Sequence, residues 1–100
     1  MLTMSRGFKA LVFLGIEPME RVFDIERYLE RLDNVLRIYE VTGEFELFVE
    51  LIIDDSKELG MIINKISTLK GVKNIQTFVV TKEIKDYSIN NYTCSLRGKR

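Results

Sequence analysis

The stretch Val35-Leu36-Arg37-Ile38-Tyr39-Glu40-Val41-Thr42-Gly43-Glu44-Phe45-Glu46-Leu47-Phe48-Val49-Glu50-Leu51-Ile52-Ile53 decides the fold. Both arms are rich in β-branched and aromatic residues, and Thr42-Gly43-Glu44 interrupts them. Gly43 is free to take positive φ, so a short turn fits there. The reading is a hairpin, with one strand from Val35 to Thr42 and another from Phe45 to Ile53. Period two puts Phe45, Leu47, Val49, Leu51 and Ile53 on one face. Glu44, Glu46, Phe48, Glu50 and Ile52 share the other.

Working outward, Asp54-Asp55 follows the hairpin, and Asp55 with Glu58 has capping-box spacing. Leu59, Ile62, Ile63, Ile66 and Leu69 then recur at helical spacing. Gly71 stands where a left-handed cap is expected. Val72 to Ile84 reads as a further strand. On the other side of the hairpin, Met19, Val22, Ile25, Leu29 and Leu32 form a helical stripe from Met19 to Leu32, with Pro18 in its first turn. Phe8 to Ile16 is dense in β-formers and reads as an inner strand covered on both faces.

The order is therefore βαββαβ. That is an α+β, ferredoxin-like arrangement: a four-stranded antiparallel sheet with two helices on one face. Its other face carries apolar residues too, so a second copy of the sheet is the simplest cover. Assembly would then give a dimeric α+β barrel. Residues 1–84 are expected to form one domain and residues 85–100 a polar tail. The tail has four basic residues against one acidic, a net of +3.

Composition narrows the chemistry. The chain has 100 residues, 46% of them hydrophobic, and fifteen basic residues balance fifteen acidic ones. A strongly basic nucleic-acid module has a different balance. The run Ala10 to Ile16 follows Arg6 and Lys9 like a signal peptide, but Glu17 and Glu20 arrive where a cleavage site would stand. It is also well short of the roughly 20 apolar residues that cross a bilayer. There is one cysteine, Cys94, and no histidine. The commonest general base is thus missing, as is the commonest metal ligand. No phosphate loop, dinucleotide fingerprint or nucleophile elbow is present. No cofactor, metal site or catalytic residue is expected, and a cytoplasmic setting fits best.

Three carboxylates on one strand face, Glu44, Glu46 and Glu50, could hold a hard cation or act as acid and base. A solvated or interfacial sheet face is the simpler account and is preferred. Asp54-Asp55 reads as a helix cap. Gly43-Glu44-Phe45-Glu46-Leu47-Phe48-Val49 faintly imitates an RNA-binding strand, but its glutamates would repel phosphate.

The segment Val41-Thr42-Gly43-Glu44-Phe45-Glu46 resembles the hairpin of the RAM domain. That domain is the C-terminal effector-binding module of Lrp/AsnC (feast/famine) transcription regulators. Gly71-Val72-Lys73-Asn74-Ile75-Gln76-Thr77-Phe78-Val79-Val80 resembles the family's final strand, with Thr77 in its usual place. Glu46 stands where the family most often has Asp. The resemblance spans about Phe8 to Lys85. It implies a non-catalytic module that dimerises through the open sheet faces and closes into rings, commonly octamers of four dimers. It implies an amino-acid effector bound between dimers, with Thr42, Gly43, Glu44, Phe45, Glu46 and Thr77 as ligand-binding candidates. Few residues precede the first strand, so the expectation is a stand-alone domain without helix-turn-helix, direct DNA binding or membrane contact. Full-length Lrp/AsnC relatives are expected partners.

Physically, N–H groups in a Gly turn can receive a carboxylate, and Glu44 or Glu46 can hold an ammonium. A plain hairpin turn also explains Gly43, and an ordinary β-former explains Thr77. Two other classes share the topology. One is a small dimeric ferredoxin-like enzyme, which usually needs a polar catalytic group that does not stand out here. The other is an ACT-type allosteric domain, whose glycine-bearing loop usually follows the first strand. Here Glu17-Pro18-Met19 occupies that loop.

Overall fold

A computed structural model describes residues 7–86. The tail beyond residue 86, with Cys94, lies outside the described residues. The elements are β1 (Phe8–Ile16), α1 (Arg21–Glu30), β2 (Val35–Glu40), β3 (Leu47–Ile53), α2 (Ser56–Ser67) and β4 (Val72–Val79). The sheet order is β2-β3-β1-β4, and every neighbouring pair is antiparallel. This is the expected ferredoxin-like α+β fold.

Alternation along the central strands builds the core. Ala10, Val12 and Leu14 of β1 stand opposite Leu51, Val49 and Leu47 of β3, and all six side chains are fully buried. Ile25 and Leu29 of α1 and Ile62 and Ile66 of α2 close over them in the same cluster. The opposite sheet face carries Phe13, Phe48, Phe78 and Tyr39. The Phe13 ring lies 4.9 Å from Phe48 and 6.0 Å from Phe78, and Tyr39 stacks on Phe48 at 5.8 Å. Both Tyr39 and Phe78 are exposed.

The same open face holds Glu50, which pairs with Lys9 of β1 at 3.2 Å and with Arg37 of β2 at 2.9 Å. Burial opposes its ionisation, but Arg37 and Lys9 outweigh it and hold Glu50 below the usual carboxylate range. After β4, the chain returns across this face. The Val80 N–H donates to the Lys9 carbonyl at 2.9 Å, and Glu83 meets the Lys9 ammonium at 3.5 Å.

Asp55 caps α2 by accepting from the Glu58 N–H at 2.9 Å, while the Glu58 carboxylate accepts from the Asp54 N–H at 2.7 Å. The expected capping pair therefore forms. Other boundaries differ from the sequence reading. Helix α1 begins at Arg21, not Met19, because Pro18 and Met19 belong to a preceding turn whose carbonyls accept from Arg21 and Val22. Strand β4 ends at Val79, short of Ile84. The hairpin strands stop at Glu40 and resume at Leu47, so their connection is six residues long. Among the described residues, no helix is long and apolar enough to cross a membrane.

Gly71 is the tightest corner. Its φ is +103°, and a Cβ there would sit 2.6 Å from the Arg21 Cβ at the start of α1. Its carbonyl also accepts from the Glu17 N–H at 2.9 Å, just after β1. Gly71→Ala is expected to cost about 3 kcal/mol, the upper end for backbone strain, because a clash adds to the φ penalty. Urea denaturation measures it; a loss within error of zero would show that this corner relaxes freely.

Candidate functional site

The six-residue connection 41–46 is where chain irregularity and polar groups coincide. Gly43 takes φ +139°, and a Cβ there would meet nothing within 4 Å. The position is thus strained for other residues but open in space. Glu46 organises the return. Its N–H donates to the Leu14 carbonyl at 2.9 Å, and its carbonyl accepts from the Val41 N–H at 3.0 Å. Its carboxylate accepts from the Ile16 N–H at 2.6 Å. A side chain thus replaces a strand partner where β1 runs past the end of β3.

That substitution breaks the alternation expected from Phe45 onward. Phe45 does not share a face with Leu47; its ring lies 5.6 Å from Phe13, on the open face. Glu46 does not share a face with Phe48 and Glu50; it turns toward α1. The three glutamates read as one strand face are therefore separated. Glu44 lies by the aromatic rings, Glu46 is at the α1 side, and Glu50 is paired with Lys9 and Arg37.

Two cavities flank the connection, and Val41 lines both. The one on the open face, about 370 Å³, is bounded by Thr42, Glu44, Phe45, Phe13, Gln76 and Phe78. It joins carboxylate, hydroxyl and amide groups to an aromatic wall. The one beneath α1, about 350 Å³, is bounded by Val22, Phe23 and Glu26 of α1 with Glu40 and Glu46. There, a hydrogen bond shared with Glu40 pushes Glu26 up to about 7, with burial and the charges of Glu40 and Glu30 adding to it.

Of the six sequence candidates, Thr42, Gly43, Glu44, Phe45 and Glu46 are brought together at this connection. Thr77 is not. It stands opposite Val12 on the edge strand β4, two strands away from β3 in the sheet. Val12 is a core residue, so Thr77 faces the helix layer. Sequence reasoning missed Phe13, Gln76 and Phe78 as wall residues, and Glu26 with Glu40 as a pair. The signal for Glu26 was its place beside Val22, Ile25 and Leu29 on the buried side of α1.

Comparison with known proteins bears on this geometry. The family described as Lrp/AsnC ligand binding domain matches residues 9–89. The HTH-type transcriptional regulator FL11 of Pyrococcus abyssi is 25% identical over 81 residues, covering 80% of this chain and 54% of that protein. The chain thus spans about half the length of the regulators it matches. A homocitrate synthase of Saccharolobus islandicus is 28% identical over 76 residues, which are 76% of this chain but 16% of that enzyme. Among solved structures, the Neisseria meningitidis transcriptional regulator NMB0573, in complex with L-Met, superposes with a TM-score of 0.74. It is 22% identical, and the match covers 81% of this chain and 54% of that one. With the family match spanning most of its length and every element of its fold, this chain belongs to the Lrp/AsnC ligand-binding domain family.

Proposed function

We propose that this chain is a non-catalytic sensing and assembly module that binds an amino acid at the 41–46 connection and modulates transcription regulators. The observation that carries the reading is the open-face cavity, where a carboxylate and a hydroxyl stand beside a cluster of rings. A free amino acid has matching parts. Its ammonium suits Glu44, its carboxylate suits the N–H groups of the Gly43 turn, and an apolar side chain suits Phe45, Phe13 and Phe78. The Neisseria relative in complex with L-Met supports the ligand class. Glu46 is the weaker ligand candidate, since one of its oxygens already holds the Ile16 N–H.

Assembly belongs to the same proposal. Exposed rings on the open face suit a second copy, which would bury them. Thr77 cannot reach the turn of its own chain, so a ligand that touched both would lie between copies, as dimers joined into an octamer would provide. Occupancy would then bias assembly state. The module acts in the cytoplasm by joining full-length Lrp/AsnC relatives. The homocitrate synthase match favours one alternative partner, an enzyme carrying or recruiting such a domain. Both readings share the ligand site and differ in what the ligand controls.

The primary test is chemical-denaturation stability against a panel of the standard amino acids. An effector at about 100 times its Kd should add roughly 2.7 kcal/mol. A flat panel would overturn amino-acid sensing. With an effector in hand, Glu44→Gln should weaken binding about tenfold or more while leaving unliganded stability unchanged, as expected for loss of a charged hydrogen bond. Gly43→Ala is a poorer probe, because its φ makes about 1–3 kcal/mol of folding loss expected in any case. For assembly, Phe78→Lys should shift the protein toward monomer in sedimentation velocity. Phe78 is 48% exposed, so the fold should survive the change. An unchanged sedimentation coefficient would count against the open-face dimer.

A further inference from the structure

We propose that Glu46 is a positioning residue: its carboxylate clamps the 41–46 connection to the end of β1 and so sets the two apolar walls, Val41 and Phe45, that the connection gives to the effector cavity. The consequence for a ligand rests on the function proposed above; the clamp itself does not.

β1 outruns its partner. Its last pairing with β3 is Leu14 with Leu47, and its register with β4 shifts between Gly15 and Ile16. Ile16 is only 4% exposed, so its N–H needs an acceptor from the protein. The Glu46 carboxylate supplies it at 2.6 Å, in place of a strand carbonyl. The Glu46 N–H also donates to the Leu14 carbonyl at 2.9 Å. Glu46 therefore grips β1 at two points, two residues apart. One such bond leaves a pivot; two fix an orientation.

That orientation is passed to both neighbouring walls. The Glu46 carbonyl accepts from the Val41 N–H at 3.0 Å, which ties the last residue of the connection to the first. With Glu46 turned to the α1 side, Phe45 leaves on the other side, and its ring lies 5.6 Å from Phe13. Val41 and Phe45 both line the open-face cavity, whereas Glu46 does not border it. The opposing walls, Phe13, Gln76 and Phe78, stand on paired strands and are held by the sheet. Rotation at Glu46 would move Val41 and Phe45 and leave the other walls in place.

The clamp works by reach and not by charge. A neutral amide oxygen on a side chain of the same length can accept the same N–H. A side chain one methylene shorter ends about 1.5 Å earlier, which opens the contact to about 4 Å, outside hydrogen-bond range. A residue that held the ammonium of a ligand would show the reverse order, tolerating the shorter carboxylate better than the neutral amide.

The test compares the full chain with Glu46→Gln and Glu46→Asp. Nuclear Overhauser contacts between the Phe13 and Phe45 rings, and exchange of the Ile16 amide, are measured first without any amino acid. Glu46→Gln should keep the ring contacts and the protection of Ile16. Glu46→Asp should lose the ring contacts, and its Ile16 amide should exchange about tenfold faster relative to its own core amides, as loss of one hydrogen bond implies. The panel of standard amino acids is then repeated on each variant. An amino acid that stabilises the wild type should bind Glu46→Asp about tenfold more weakly, and Glu46→Gln within about threefold of the wild type. Ring contacts that persist in Glu46→Asp would overturn the clamp. A greater loss of affinity in Glu46→Gln than in Glu46→Asp would overturn it too, making Glu46 a direct ligand group. So would a Glu46→Asp chain that is less stable but binds unchanged, since Glu46 would then serve the fold alone. If Glu46→Asp fails to fold, Glu46→Gln decides: retained ring contacts and Ile16 protection support the clamp, and loss of either overturns it. A flat panel on the wild type would defeat the proposed effector, while the ring contacts and the Ile16 amide would still decide the clamp.

Discussion

Burial of the helix-facing side of β1 is the constraint on which the remaining structure depends. β1 pairs with β3 on one side and β4 on the other, so its backbone groups find partners in both directions. Its helix-facing side chains, Ala10, Val12 and Leu14, are sealed by Ile25, Leu29 and Ile66, and all are at most 2% exposed. A one-residue slip of β1 would exchange this set for Leu11, Phe13 and Gly15 and move the apolar set to the open face. The register is thereby fixed, and with it the point where β1 outruns β3. The irregular connection and both of its cavities sit at that point.

Much of the fold could be read from the sequence because its determinants are local. The bounds of β1 emerge at Phe8 and Ile16 because β-formers end at Glu17-Pro18. The cap of α2 emerges at Asp55 because its partner is three residues away. The failures are non-local. Glu46 leaves the strand pattern because its carboxylate satisfies an N–H thirty positions earlier in the chain. Phe45 is then free to join Phe13, which no periodicity in the hairpin signals. Pro18 looks like a helix start on its neighbours alone, yet the turn into α1 is shaped partly by Gly71, at the entry to the neighbouring strand β4.

The candidate site divides along the same line. Thr42, Gly43 and Glu44 are adjacent in sequence, so their clustering was legible. Gln76 and Phe78 reach the same cavity only because β4 lies beside β1. Thr77 differs again: its position in a motif was legible, but strand alternation turns it toward the helices of its own chain. Glu26 and Glu40 are fourteen residues apart, and neither is unusual in its own segment. Their meeting depends on how α1 crosses the sheet.

The open face also has a consequence for how molecules meet. Lys9, Arg37, Glu50 and Glu83 sit together beside the rings, two cations against two anions. Their fields cancel within a few ångströms, so this group casts little potential into solution. Encounter through this face would be governed by shape and apolar contact at short range. Its rate would accordingly depend weakly on ionic strength, unlike the steered capture that a one-signed surface produces.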